Sequence, residues 1–165
     1  MRKKLYLYTD GSSIGNPGAA GIAYLLTDEQ GQVVGQGAEP IGYATNNQAE
    51  YHALLKGLEA ARSLGAQEIE WYSDSELLVK QWTGAYTIKD AHLRRLMQDA
   101  RALSHGMIIA PHAVPRNSSP QMTAVDGWAR QCATANTVSR ATTRGTGSAA
   151  RAKRRGGGRK GRHGW

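Results

Sequence analysis

Cysteine is nearly missing from this 165-residue chain, in which Cys132 stands alone. A single thiol cannot close an intrachain disulfide, and no cysteine cluster exists to hold zinc. The five histidines show no metal-ligand spacing either. No run of about eighteen apolar residues is present, so no membrane helix and no membrane partner are expected. The opening MRKKLYLYTDG carries basic residues but no apolar stretch leading to a small-residue cleavage site. The expected compartment is therefore a reducing cytoplasm, and the expected state a monomer. The length suits one ordinary domain with appendages rather than two domains.

Acidic residues are missing from one region. From Ser139 onward the chain has nine basic residues (Arg140, Arg144, Arg151, Lys153, Arg154, Arg155, Arg159, Lys160, Arg162) and no carboxylate side chain. Setting these aside leaves 12 basic against 13 acidic residues, so the body is close to neutral and the tail supplies the net charge of +8. Beyond about Thr137 there is almost nothing apolar to bury. The expected organisation is a folded domain over 1–136 and a disordered, basic Gly/Arg-rich tail over 137–165.

What is present reads as an ordered series of elements. Lys3 to Thr9 alternates and is rich in Leu and Tyr, which predicts a strand ending at Asp10. Gly15-Asn16-Pro17-Gly18 is a turn by composition, and Gly21 to Thr27 and Gln32 to Ile41 continue as strands of an antiparallel meander. Thr45 and Gln48 have the spacing of a capping box before the helical run AEYHALLKGLEAARSL, which Gly65 ends. Glu68 to Tyr72 predicts a fourth strand, Ser75 to Thr83 and Asp90 to Leu103 two helices, and Met107 to Val114 a fifth strand that Pro111 confines to an edge or a bulge. Thr123 to Ala135 predicts a last helix. The order βββαβααβα implies an α/β fold with a mixed sheet flanked by helices. Trp71 and Trp128 read as core residues, Cys132 as a buried helix residue, and Trp82 as either core or ligand-binding.

Two chemistries compete for the first corner. Gly11-Ser12-Ser13-Ile14-Gly15 fits the G-x-S-x-G pattern of serine hydrolases, with Ser13 as nucleophile. That pattern needs a sharp turn from strand into helix, whereas here a turn and a second strand follow, so the context fails. Asp10, Glu50, Asp74 and Asp126 offer the other chemistry. Two fall at strand ends and two on helices, and all could converge at one end of the sheet. Such a cluster repels itself unless cations or shared protons intervene, and oxygen-only ligands suit Mg²⁺ or Mn²⁺.

These residues also carry a resemblance. YTDGSSIGNPG, ATNNQAEYHALLKGLEAA and YSDSELLVKQWTGAY resemble segments of type I ribonuclease H in its compact bacterial and archaeal form. The match runs from about Leu5 to Leu96, resumes at Ala113-Val114-Pro115-Arg116 and includes Asp126 with Trp128-Ala129 behind it. The resemblance implies a ribonuclease H-like fold with a five-stranded mixed sheet. It also implies an endonuclease that cuts the RNA strand of RNA/DNA hybrids, with Asp10, Glu50, Asp74 and Asp126 holding two Mg²⁺ or Mn²⁺ ions and Asp10 bridging them. The competing reading is a hybrid-binding module of the same fold with impaired catalysis.

That second reading is motivated by the Asp126 region. The family commonly has Pro-Arg-x-x-Asn-x-x-Ala-Asp, whereas here NSSPQMTAV separates Pro115-Arg116 from Asp126. Thr123 and Asp126 also have the spacing of an ordinary helix cap, which leaves Asp126 as either ligand or capping residue. Many members carry a histidine in this loop, but residues 117–125 contain none. Arg116 is expected either to reach the scissile phosphate or to be a surface arginine without a role.

By motif match, Gly11, Ser12, Asn16, Asn46, Asn47 and Gln48 would line the hybrid's minor groove, where an Asn amide offers both donor and acceptor to 2′-hydroxyls and base edges. Glu76 would touch the RNA strand. Thr45 would take a DNA-strand phosphate at a helix N-terminus, although for Thr45 and Gln48 pure capping is an equal reading. The basic helical handle of some members is absent after Trp82-Thr83-Gly84-Ala85-Tyr86. The cationic tail either compensates through salt-sensitive counterion release or is a solvated end with no role.

Overall fold

The computed structural model describes the backbone of residues 2–149 and the side chains through residue 136. A five-stranded sheet has the order β3-β2-β1-β4-β5. Its strands are β1 (Lys4–Ile14), β2 (Gly18–Thr27), β3 (Val33–Ala44), β4 (Glu68–Ser73) and β5 (Ile108–Ala113). The first three pair antiparallel, as hairpin connections allow, and β4 and β5 add parallel to β1 and to each other. Helices α1 (Asn46–Ser63), α2 (Glu76–Thr83), α3 (Ala91–Leu103) and α4 (Pro120–Ala149) complete the fold. The expected α/β fold with its mixed sheet is therefore present.

Alternation along the strands divides the core into two layers. Leu5 and Leu7 of β1, with Leu26, Ile69 and Trp71, pack against Tyr51, Leu54 and Leu58 of α1 and against Leu78, Trp82, Leu93 and Leu96 of α2 and α3. Ala23 and Leu25 of β2, flanked by Tyr8 and Tyr72, pack against Met122, Val125 and Ala129 of α4. Trp71 is fully buried and its indole N–H donates to Thr9 Oγ1 at 3.0 Å, which satisfies the polar edge of an otherwise apolar ring. Trp82 is also buried, edge-on to Trp71, and belongs to the core. Trp128 is half-buried against the α4 layer.

Capping fixes where the helices begin. Thr45 and Gln48 form a reciprocal capping box: Thr45 Oγ1 accepts from Gln48 N, and Gln48 Oε1 accepts from Thr45 N, each at 3.0 Å. Ser75 and Asp90 cap α2 and α3 one way only, their side chains accepting from Leu78 N and Leu93 N. Gly65 and Gly84 follow α1 and α2 with positive φ, the conformation that favours glycine where a helix stops.

Several boundaries differ from the sequence reading: β2 begins at Gly18 rather than Gly21, and β3 runs to Ala44 rather than Ile41. β1 does not end at Asp10 but continues to Ile14, because Gly11, Ser12 and Ser13 stay paired with Ile22, Gly21 and Ala20 of β2. α4 begins at Pro120 rather than Thr123: Ser119 Oγ accepts from Met122 N at 3.1 Å, and the Ser119 carbonyl accepts from Thr123 N. Thr123 is thus inside the helix, and Asp126 lies in its second turn, not at a capping position. α4 also carries the helical backbone beyond the expected boundary at 136 to Ala149, since helical hydrogen bonds need no apolar partner. The remainder of the expected tail lies outside the described residues. Cys132, expected to be buried, is half-buried on α4.

Candidate active site

Asp10 occupies the middle of β1, opposite Ala23, with neighbouring strands on both sides. Gly11 follows it and faces α1. A Cβ at Gly11 would lie 2.5 Å from both Ala49 O and Glu50 N, so the absence of a side chain is what lets the first turns of α1 approach the strand. This contact brings Glu50 to Asp10. Asp74 directly follows β4, the parallel neighbour of β1, and Asp126 descends from α4 on the opposite side. All four expected carboxylates reach one cleft of about 240 Å³, together with Gly11, Ser12, Asn46, Asn47, Ser75 and Arg116.

Within the cleft the carboxylates are not equivalent. Asp10, Glu50 and Asp74 can each offer one oxygen such that all three oxygens lie within 4.8 Å of one another. Asp10 is 2% exposed and Glu50 9% exposed, and each has a buried oxygen (Asp10 Oδ1, Glu50 Oε1) without a hydrogen-bond partner. Burial, reinforced by the charges of Asp74 and Asp126, pushes the Asp10 carboxyl up to about 8. Burial also raises Glu50 well above the usual carboxylate range, with Asp10 and Asp74 as like-charged neighbours. Orphaned oxygens on crowded, desolvated carboxylates are costly by themselves. An all-oxygen set with open lone pairs fits a hard divalent cation, which would satisfy those oxygens and reverse the shifts.

Asp126 is buried but differently engaged. Its Oδ2 accepts from Arg130 Nη2, one helical turn onward, and its Oδ1 lies 3.9 Å from Arg116 Nε. Arg116 Nε also donates to Asp74 Oδ2 at 3.3 Å. Arg116 therefore points into the site. Arg130 and Ser75 also line the cleft but escaped the sequence reading. The i,i+4 spacing of Asp126 and Arg130 on one helix face was a readable signal for the pair.

The remaining expected substrate contacts divide into two groups. Gly11, Ser12, Asn46 and Asn47 line the cleft. Asn16, Thr45, Gln48 and Glu76 do not. Asn16 Oδ1 accepts from Asn46 N at 3.0 Å, tying the β1–β2 hairpin tip to the start of α1. Thr45 and Gln48 are engaged in their capping box, and Gln48 Nε2 also lies 2.9 Å from His92 Nδ1. Glu76 is exposed beside Lys80, at 3.8 Å. Ser13 lies within a hairpin rather than on a turn from strand into helix, and its hydroxyl donates to Gly15 O at 2.7 Å and lies 2.9 Å from Asn46 Oδ1.

The close approach at Gly11 yields a direct prediction. Gly11→Ala is expected to destabilise the protein by about 1–3 kcal/mol, because backbone rather than a flexible side chain must give way. It should also separate Asp10 from Glu50 and weaken divalent-cation binding. Urea titration and metal calorimetry would show both effects, and an unchanged unfolding midpoint would contradict the packing argument.

Comparison with known proteins agrees with this geometry. Residues 8–117 match the family model described as reverse transcriptase-like. Ribonuclease HI of Halobacterium salinarum is 47% identical over 103 residues, which cover 62% of this chain and 52% of that protein. The chain thus aligns with about half the length of this relative, and with 28% of the bifunctional protein Rv2228c of Mycobacterium tuberculosis. Among solved structures, the N-terminal RNase H domain of rv2228c superposes with a TM-score of 0.79 at 35% identity, covering 83% of this chain and 98% of that one. LC11-RNase H1 in complex with an RNA/DNA hybrid superposes with a TM-score of 0.71 at 32% identity, covering 77% and 94%.

Proposed function

The chain belongs to the reverse transcriptase-like family and carries its ribonuclease H-like domain, and from that premise we propose that it hydrolyses the RNA strand of RNA/DNA hybrids, leaving 3′-hydroxyl and 5′-phosphate ends. The observation that carries this reading is the triad Asp10, Glu50 and Asp74, with two buried carboxylate oxygens left open at the base of a polar cleft. Asp10, Glu50 and Asp74, joined by Asp126, would hold two Mg²⁺ ions, with Mn²⁺ as the alternative. Bound divalent ions supply Lewis-acid stabilisation of a phosphate and an acidified water.

The chain's own side chains would then select and orient the substrate. Asn46 and Asn47 flank the triad at the start of α1, where an amide can both donate to and accept from a 2′-hydroxyl. Ser12 adds a hydroxyl on the adjacent strand. Arg116 stands over the site with a planar fork suited to two oxygens of one phosphate. Asn16, Thr45, Gln48 and Glu76 would act at the periphery, the first three chiefly by fixing the hairpin and the N-terminus of α1. No helix among the described residues is long and apolar enough to cross a membrane. A monomer acting on hybrids in the cytoplasm is part of the same proposal, as is the division into a catalytic domain and a basic tail.

One observation favours the second reading, a hybrid-binding module without cleavage: Asp126 is held by Arg130 and Arg116. A labelled hybrid incubated with the purified protein and Mg²⁺ or Mn²⁺ separates the two. Cleavage confined to the RNA strand, lost on chelation, is the expected result. Binding without any cut would overturn the nuclease reading in favour of the module.

A further inference from the structure

We propose that Arg130, aided by Arg116, is a displaceable counter-cation of Asp126: it holds this carboxylate inside the cleft until a divalent cation takes over, and is then released. The inference rests on the metal-site reading above, and concerns what the arginines do to it. Arg130 is a positioning residue here, acting through Asp126.

The carboxylates of the cleft fall into two unlike sets. Asp10 and Glu50 keep open, buried oxygens, and with Asp74 they can converge on one ion. Asp126 has both oxygens facing guanidinium groups, Oδ2 on Arg130 and Oδ1 3.9 Å from Arg116. Its side chain is 6% exposed, whereas those of Arg116 and Arg130 are each 60% exposed. A nearly buried anion that lost these partners would be strongly disfavoured, so the ionised Asp126 carboxylate favours a cation beside it. The exposed arginines can leave by rotation about their own side chains, into water and without moving α4.

Competition follows from charge. A divalent ion on the triad repels guanidinium groups that share Asp74 and Asp126 with it, and the guanidinium groups repel the ion. By linkage, each weakens the other's hold by the same factor. Release has a further consequence, because a guanidinium fork that matches a carboxylate also matches a phosphate. Once the cation has replaced it at Asp126, Arg130 stands in the cleft as a ready partner for the nucleic-acid backbone.

The test is Mn²⁺ titration of the full chain by calorimetry, without nucleic acid, with circular dichroism to verify folding. Arg130→Gln is expected to bind Mn²⁺ roughly three- to tenfold more tightly than the wild type, the range for a partly exposed ion pair on a buried carboxylate. Arg130→Lys should lie close to the wild type. The gain should vanish when Arg130→Gln is made in an Asp126→Asn background. In the wild type, Mg²⁺ should shift the Arg130 side-chain NMR signals as the guanidinium leaves. Unchanged or weaker Mn²⁺ binding in folded Arg130→Gln would overturn the proposal while leaving the metal site standing. A gain that survives removal of Asp126 would also overturn it, as a general charge effect. A wild type that binds no Mn²⁺ would remove the metal site itself, and this inference with it.

Discussion

Asp10→Asn is expected to lower hybrid cleavage by roughly a thousandfold or more and, in the same protein, to raise the stability of the metal-free fold. Asparagine keeps the size and shape of the side chain but removes the charge at the point where β1 meets α1. The loss of activity follows because Asp10 supplies an oxygen that can converge with those of Glu50 and Asp74 on one ion, and its Oδ1 has no competing partner in the protein. The gain in stability follows from the same burial: at 2% exposure beside three other carboxylates, the charged form of Asp10 is disfavoured in the fold. Gel assays on labelled hybrid and calorimetric melting in a chelating buffer would measure the two effects. Cleavage within tenfold of wild type would remove Asp10 from the chemistry, and a lower melting temperature would show that its charge is already compensated inside the protein.

The second large effect is the dependence of metal-free stability on pH. The Asp10 carboxyl has a folded-state value of about 8, above its ordinary value near 4, and Glu50 is raised in the same direction. Below about pH 4 both folded and unfolded chains hold these protons, and the contribution to stability is fully present. As pH rises, the unfolded chain releases them first, so stability drains away until the folded state titrates near pH 8. His52 works the other way: burial lowers its pKa, so protonation of the unfolded chain costs stability as pH falls below about 6.5. Glu70, held low chiefly by its bond to His112, also opposes the trend, although only within the ordinary carboxylate range. The melting temperature in chelator is expected to fall by several degrees between pH 5 and pH 8 in the wild type, with a shallower fall in Asp10→Asn. Saturating Mg²⁺ should raise it more at pH 8 than at pH 5. Parallel pH curves for wild type and Asp10→Asn would show that Asp10 is not the group responsible.

Much of this architecture was legible in the residues because local and global signals agree there. The capping box at Thr45, the αL glycines after α1 and α2, and the edge position of Pro111 each have a short-range cause, and each lies where that cause puts it. The three motif carboxylates were legible from their motifs: the capped α1 places Glu50 and the end of β4 places Asp74, whereas Asp10, read as a strand end, lies within β1. The continuation of β1 was not. Gly11, Ser12 and Ser13 have turn composition, but the missing side chain of Gly11 serves close packing against α1 while the backbone of all three stays in the ladder. Composition alone cannot separate those uses. The start of α4 was readable, since Ser119-Pro120 is a favourable cap followed by a first-turn proline, but the Thr123–Asp126 spacing competed with it. The partners of Asp126 depend on tertiary placement, and only the i,i+4 half of that arrangement exists in the sequence.

Across the sheet from Gly11, a second glycine determines how freely this domain can change. At Gly21 of β2 a Cβ would lie 2.5 Å from Ala129 O and 2.6 Å from Cys132 Cβ, so α4 is seated directly on the strand just beyond Asp126. The helix takes its position from this seat rather than from the segment that leads into it. The stretch between Arg116 and Ser119 is therefore a tether whose length is under little constraint, and an insertion there can be absorbed at the surface. Depth in the cleft is inherited from one missing methyl group on the neighbouring strand, and the fourth carboxylate keeps its address however long the approach to it becomes.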